Sequence, residues 1–208
     1  MQIMENYIQE LDAYFCEQYS DYVKITALAG YEMPDTVYIA RDGNVARRDS
    51  SVMRLCHQKK KDELLAAFKA GLADTSFTFN FSFPTFRNKM EDRRRRYTFA
   101  KLLPEALKHV SETTESAGEK LAIEPKIWQK IVKGKLYPEK NTVLALALVC
   151  HMQAQDCAKL LGACGFKLDP ESVRDVVTYY LIEHKIFNRE MRDACLAEYK
   201  ISNLPIKD

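Results

Sequence analysis

Four polar side chains at helical spacing are the residues of this sequence best suited to hold a polyanion. Lys126, Gln129, Lys130 and Lys133 are separated by three or four residues along one stripe, which places them on one side of a helix. Ammonium groups bind phosphate oxygens, and a glutamine amide can both donate to and accept from the edge of an adenine. Gln129 is therefore the candidate for contact with a base, and the three lysines give it basic surroundings.

The helix that must position these side chains has recognisable ends. Pro125 suits the first helical position, where a missing N–H costs nothing, and Glu124 precedes it as a cap. Gly134 suits the position just past the end, where a left-handed residue is common. The opposite side is apolar and comprises Ile127, Trp128 and Ile131. We therefore expect Trp128 and Ile131 to be buried and the four polar residues to be exposed.

The segment that follows is apolar on every side. Residues 143–150 have the sequence VLALALVC, and a helix that is hydrophobic all round must lie in a core. A rigid core helix that presents a small basic helix is well suited to docking on a phosphate backbone.

The sequence KIWQKIVKGKLYPEKNTVLALALV resembles the second half of a phage-repressor-type (Cro-like) helix-turn-helix domain. In that family a recognition helix ends in a glycine, a short linker with a proline follows, and the next helix locks the module. The matching residues are Gly134, Pro138, Thr142, Leu146 and Ala147, and the resemblance covers residues 99–166. It implies DNA binding, with Lys126, Gln129 and Lys130 placed like groove-facing residues of the family.

The turn before the recognition helix departs from the family pattern. The family carries a glycine there, whereas this chain has Leu121-Ala122-Ile123-Glu124. Modules of this type also serve as protein docking units, so the departure leaves a protein-binding role open.

Seven basic residues, of which Lys133 has already been named, are interpreted as phosphate contacts, which position a protein on nucleic acid without specifying a sequence. Four consecutive guanidinium groups lie just before the helix-turn-helix region, where a basic arm would follow a groove, although a solvated interdomain linker has the same composition. The seven are Lys133, Lys135, Lys140, Arg93, Arg94, Arg95 and Arg96.

The distribution of charge is more informative than its total. The 208 residues carry a net charge of only +2. Residues 1–86 carry a net −3, residues 87–101 a net +5 and residues 102–208 a net 0. Within the last range, residues 120–141 carry six lysines against two glutamates, a net +4. Two basic islands on a neutral or acidic background predict contact with a polyanion at defined places.

The pattern of apolar residues predicts two domains and a chain that is mainly α-helical overall. Residues 1–86 are predicted to form a small α+β domain with a helix, a hairpin over residues 37–47, a second helix and a phenylalanine-rich strand. Residues 87–98 form a basic linker, and residues 99–208 form an all-helical domain similar to a helix-turn-helix unit.

In residues 76–83, SFTFNFSF, four phenylalanines share one face, which is typical of a half-buried strand closing the N-terminal sheet or of an edge strand that pairs with a partner. Ser116-Ala117-Gly118-Glu119 has the spacing of a capping box for a short helix.

Signals for catalysis, metals and cofactors are weak. The four histidines are scattered, and neither a phosphate-cradling glycine loop nor a C-x-x-C pair is present. We therefore expect no enzyme, no cofactor and no metal site. The sequence has no secretory leader and no apolar run long enough to span a membrane, so free cysteines predict a reducing cytoplasm and no membrane partner.

Two classes of function fit these observations. The first is a non-enzymatic DNA-binding regulator with an N-terminal sensing or assembly domain. The second is a protein-interaction adaptor, for example in a bacterial defence or signalling assembly, that docks through the helical domain or the phenylalanine-rich strand. Binding to RNA through the arginines is a third alternative. A protein partner of the N-terminal domain and a homodimer are both compatible with the sequence.

Overall fold

The structure, a computed structural model, describes residues 2–19, 37–39, 45–47, 50–85, 98–202 and 204. Within these ranges the chain is mostly helical, as predicted. The helices are α1 (Gln2–Gln18), α2 (Ser50–Gly71), α3 (Phe99–Lys108), α4 (Thr114–Lys120), α5 (Pro125–Val132), α6 (Lys140–Val149), α7 (Ala154–Ala163), α8 (Val173–Glu183) and α9 (Arg189–Glu198). The strands are β1 (Val37–Ile39), β2 (Val45–Arg47), β3 (Phe81–Ser82) and β4 (Tyr137–Pro138).

Two short antiparallel pairs make up the described β-structure. In the first, β1 pairs with β2, with Val37 opposite Arg47, which confirms the predicted hairpin. In the second, β3 pairs with β4, with Phe81 opposite Pro138 and Ser82 opposite Tyr137. The second pair joins the phenylalanine-rich segment to the residues that follow α5.

The N-terminal helix shares a core with the last two described helices. α1 packs against α8 and α9, and its Leu11 and Phe15 are fully buried. The ring of Phe15 lies 4.5 Å from that of Tyr199, and the ring of Tyr14 lies 5.1 Å from that of Tyr180. Aromatic pairs at these centroid distances add stability beyond the area they bury. The apolar side of this helix is therefore covered by α8 and α9.

The phenylalanine-rich segment differs from its prediction in length and in partner. Phe77 is buried, Phe79 and Phe81 are half-buried, and the polar residues between them are exposed, so the predicted alternation is confirmed up to Phe81. Only two of its residues form a strand, however, and they pair with β4 instead of extending the β1–β2 hairpin.

We call residues 75–82, which include most of the phenylalanine-rich segment, the strap. Its backbone is hydrogen-bonded to several separate parts of the chain. Thr75 donates its N–H to Lys200 O and accepts the N–H of Ser202. Asn141 donates from its side chain to Thr78 O, and Glu139 donates its N–H to Asn80 O. The strap is not one long strand because its hydrogen bonds go to different partners in turn.

The basic helix α5 lies among the helices α3, α4, α6 and α7. α3 packs against α4, α5 and α7, and α6 packs against α4, α7 and α8. Every residue from Thr142 to Cys150 is buried, which confirms the core position predicted for this segment. The predicted division into two domains is not confirmed, and residues 86–97, which contain the arginines of the basic linker, lie outside the described residues.

Among the described residues, no helix is long and apolar enough to cross a membrane.

Candidate nucleic-acid interface

The two sides of α5 differ in exposure as the sequence predicts. Trp128 is 5% exposed and Ile131 is fully buried. Lys126, Gln129, Lys130 and Lys133 are all exposed, and we call this set the α5 face. Because the buried stripe fixes the rotation of the helix about its axis, the four polar side chains point away from the core together.

Trp128 locks α5 onto α4. Its indole Nε1 donates a hydrogen bond to the carbonyl oxygen of Thr114 at 2.5 Å. Its ring covers Gly118, where an added Cβ would come within 2.7 Å of the indole Cγ and Nε1. Only a glycine fits at this position, because the indole ring of Trp128 occupies the space that a side chain of residue 118 would need. The spacing of α5 does not predict this pairing, because neither Thr114 nor Gly118 belongs to the α5 pattern.

The start of α4 corrects the predicted capping box. The N-cap residue is Thr113, whose side chain accepts the N–H of Ser116 at 3.1 Å. Ser116 lies inside the helix and donates its hydroxyl to Glu112 at 2.6 Å. Thr and Ser have the same capping chemistry, so spacing alone did not separate the two positions.

The turn between α4 and α5 forms without the glycine that the family pattern would supply. Ala122 takes a φ of 53°, in the left-handed region that glycine prefers. Its N–H donates to Glu119 O at 3.0 Å, and the N–H of Ile123 donates to Gly118 O at 3.3 Å. The chain therefore closes α4 in the usual left-handed manner and accepts the strain of a Cβ at that position.

The end of α5 uses the same conformation with the residue that suits it. Gly134 has a φ of 67° and confirms the predicted glycine past the helix end. The carbonyl oxygen of Lys130 accepts the N–H of Lys135 at 2.7 Å and that of Leu136 at 3.2 Å. These bonds hold the exposed side chain of Lys135 beside the last turn of α5.

Only part of the basic island over residues 120–141 is available to a ligand. Lys120 is paired with Glu112, and Lys140 Nζ lies 2.6 Å from Asp175 Oδ2. No ion pair joins the remaining four lysines, Lys126, Lys130, Lys133 and Lys135, to a carboxylate in the part of the chain that the structure describes. Counting the two partner carboxylates lowers the net charge of the island from +4 to +2.

Lys140 is therefore set apart from the other predicted contact residues. Its partner Asp175 is 2% exposed and also accepts the N–H of Asp169 at 3.0 Å. An ammonium group that balances a buried carboxylate is held in place by the fold. Arg93, Arg94, Arg95 and Arg96 lie outside the described residues, so their prediction as phosphate contacts stays a prediction.

Two further features lie beside the α5 face. Glu119 and Glu124 are exposed at the end of α4 and the start of α5, so the positive charge is concentrated toward the other end of α5. A groove of about 410 Å³ opens beside Lys133, between the start of α3, the turn after α5 and the end of α7. Its apolar lining includes Phe99, Ile131, Leu136, Tyr137, Ala163 and Cys164.

The titratable groups of the helical region mainly serve packing. Burial raises the pKa of Cys150 and of Cys157 to about 12 and that of Cys195 to about 11, so these thiols are protonated at neutral pH and poor nucleophiles. Asp156, 6% exposed, accepts a hydrogen bond from His109 at 2.7 Å and from Lys159 at 3.1 Å, which ties α3 to α7. Within the described ranges, histidine, cysteine and carboxylate side chains form no cluster that could hold a metal ion.

Comparisons with protein-family models, with curated proteins and with solved structures found no match to this chain. The resemblance to a repressor-type module therefore stays a prediction, and function is argued from the geometry and charge of the α5 face.

Proposed function

We propose that this protein binds duplex DNA through the α5 face and acts as a DNA-binding regulator without catalytic activity. One observation carries the proposal: four lysines around the exposed side of α5 have no carboxylate partner among the described residues, while two other lysines of the same island do. Unpaired ammonium groups on a fixed helix gain most from phosphate oxygens, since binding releases condensed counterions.

The size and support of α5 suit a DNA groove. An α-helix with its side chains is about 10–12 Å in diameter, and the major groove of B-form DNA is about 12 Å wide and admits a helix. On its buried side, α5 is held in place by the hydrogen bond from Trp128 to Thr114 and by the packing of Ile131 in the core. A side chain that is already positioned loses less conformational freedom on binding.

The roles within the face follow from side-chain chemistry. Gln129 is the candidate for contact with a base edge, since its amide matches the donor and acceptor of adenine. Lys126 and Lys130 flank it, and Lys133 and Lys135 lie toward the helix end as phosphate contacts. The arginines of the linker, Arg93 to Arg96, are proposed as a second set of phosphate contacts.

The test is a titration of duplex DNA against the intact protein over a series of salt concentrations. Replacing Lys130 and Lys133 with Ala should weaken binding on all sequences and reduce the slope of log K against log salt by about one unit per lost contact. The matched control replaces Lys108 and Lys167, two exposed lysines elsewhere, and should leave the slope nearly unchanged. If the intact protein shows no salt-dependent binding to any duplex at low ionic strength, the proposal is wrong.

A second variant separates base contact from phosphate contact. Replacing Gln129 with Ala should cost about 1–3 kcal/mol on a preferred site selected from random sequences. The same change should have little effect on unselected DNA, where only phosphate contacts hold the protein.

A protein-docking adaptor is the second candidate, and the groove beside Lys133 favours it. Its apolar lining of Phe99, Ile131 and Leu136 would suit an apolar anchor from a partner, and the exposed Glu119 and Glu124 would be compatible with a basic one. The same titration decides between the two, because an adaptor predicts no duplex binding that depends on the lysines of the α5 face.

A further inference from the structure

One large apolar side chain remains on the surface of the described residues. Phe83 is 78% exposed, whereas the three phenylalanines that precede it at alternate positions are buried or half-buried. Exposing an aromatic ring to water forgoes the stabilisation that its burial would give. A lone exposed ring can be incidental, so its surroundings decide what it can contact.

The backbone holds Phe83 in a fixed place. It follows β3 directly and precedes Pro84, which is buried. A residue before proline is restricted to extended conformations, so Phe83 continues the direction of β3. It is anchored on one side by the β3–β4 pair and on the other by a buried ring.

The register of the β3–β4 pair brings Phe83 to the basic turn after α5. Ser82 lies opposite Tyr137, so Phe83 leaves the pair at the end where Leu136 enters it. The N–H of Leu136 donates to Lys130 O at 3.2 Å, and that of Lys135 donates to the same oxygen at 2.7 Å. The exposed ring thus follows a strand pair whose second strand begins directly after the hydrogen-bonded turn of Lys133 to Leu136.

We propose that Phe83 is an apolar contact to the same duplex that the α5 face holds, and that its ring inserts against a base step. This inference rests on the proposed DNA-binding function. Apolar side chains flanked by cations act as wedges in this way, partly unstacking one step while the cations hold the phosphates. Lys133 and Lys135, exposed and without a carboxylate partner among the described residues, supply those cations here.

The charge of the neighbourhood favours DNA over a protein as the occupant. An aromatic contact that served a protein interface would lie in a patch depleted of charge, because the centre of such an interface carries few charged residues. Phe83 instead directly follows β3, and the partner strand β4 begins two residues after Lys135. DNA offers a partner to both kinds of group, because its phosphates bind the ammonium groups and the face of any base can stack on the ring.

The experiment compares an intact 30-base-pair duplex with the same duplex carrying a central one-nucleotide bulge. A wedge binds the bulged duplex more tightly, because the step is already unstacked. Replacing Phe83 with Ala should abolish this preference and lower affinity about 5- to 160-fold, the range that corresponds to the loss of one base stack. The salt slope should not change, since the ring carries no charge, whereas Lys135→Ala should lower it by about one unit.

The outcomes separate this inference from the function on which it rests. Phe83→Trp should keep the preference for the bulge, and thermal melting of both variants should match the wild type because the ring is exposed. If Phe83→Ala binds both duplexes like the wild type while the lysine variants lose binding, the wedge is wrong and DNA binding stands. Unchanged DNA binding with a shift in sedimentation would assign Phe83 to self-association and overturn the wedge. If no variant and no wild-type protein binds DNA, the proposed function itself fails.

Discussion

Lysines in two regions of the molecule face opposite electrostatic situations. Lys69, at the junction of α1, α2 and α9, is 13% exposed and lies 2.7 Å from a carboxylate oxygen of Asp12 and 2.7 Å from one of Glu198. The lysines of the α5 face are exposed and have no carboxylate partner among the described residues. Lysine content alone therefore does not identify a binding surface; the absence of an internal partner does.

The junction is a closed set of interactions. The hydroxyl of Tyr199 donates to Asp12 at 2.8 Å, and the ammonium of Lys69 lies 4.8 Å from the centre of the Tyr199 ring. Burial, with the nearby carboxylate of Asp12, raises the pKa of Tyr199, so its hydroxyl remains a donor at any ordinary pH. Charges that satisfy one another in this way hold helices together and leave little for a ligand.

The largest expected effect lies on the buried side of α5. Replacing Trp128 with Ala should lower the free energy of unfolding by about 3–5 kcal/mol, because a packed ring is lost and a cavity remains. Denaturant unfolding measures this change, and Lys126→Ala on the exposed side should stay within about 0.5 kcal/mol of the wild type. A Trp128→Ala protein of unchanged stability and lost DNA binding would place the tryptophan among the contact residues instead.

Breaking the junction should affect stability and leave DNA binding intact. Replacing Lys69 with Met removes the cation between Asp12 and Glu198 and should cost about 1–3 kcal/mol, since the partly buried carboxylates are left uncompensated. Lys130→Met, the matched change on the α5 face, should cost little stability and weaken DNA binding. If both variants lose the same stability, the proposed difference between the paired Lys69 and the unpaired Lys130 is wrong.

The Asp156 cluster gives a test by pH. Burial alone would raise the pKa of Asp156, but hydrogen bonds from His109 and Lys159 outweigh it and hold the pKa below its ordinary value. The charged carboxylate therefore stabilises the fold above about pH 4, where it is ionised in the unfolded chain too, and this contribution is lost as the pH falls further. Asp156→Asn should be less stable than the wild type by about 1–3 kcal/mol at pH 7.

The difference between Asp156→Asn and the wild type should shrink as the pH falls from 4 toward 2. Melting temperatures of both proteins measured across this range give the result. A difference that stays constant would assign the loss to packing and not to the ionised carboxylate.

The smallest expected effects concern the two left-handed residues that flank α5, Ala122 before it and Gly134 after it. Ala122→Gly should stabilise the protein by about 1 kcal/mol, because it relieves a left-handed alanine. Gly134→Ala should destabilise it by a similar amount, since an added Cβ would meet only Ala100 Cβ at an ordinary 3.6 Å and the strain of the backbone remains. Changes of the same sign in thermal melting would mean that local packing, not backbone conformation, decides both positions.

Local patterns predicted what depends on local geometry. The stripe of Trp128 and Ile131, the glycine after α5 and the buried apolar segment of residues 143–150 were predicted correctly, because each follows from helical spacing over a few residues. The β1–β2 hairpin was predicted for the same reason, since its strands are neighbours in the chain.

Long-range partners were beyond the reach of the sequence. The alternation around Phe81 predicts a strand that closes the N-terminal sheet or an edge strand that pairs with a partner, yet β3 pairs with β4, more than fifty residues away. Lys140 was counted among the phosphate contacts, and Asp175, its partner, is 35 residues away. Alternation and charge runs describe a residue's own surroundings, and they do not reveal which distant group it meets.

The contacts of α1 also bear on the order in which the chain acquires its structure during synthesis. Asp12 and Tyr199 are 187 residues apart, and Tyr14 meets Glu183 across 169. A ribosome releases α1 and α2 before α8 and α9, so Phe15 can meet Phe68 of α2 early but lacks Tyr199 until α9 has emerged. For most of translation the first helix therefore has only part of its native core, and the apolar surface that α8 and α9 will cover stays open to aggregation until they dock.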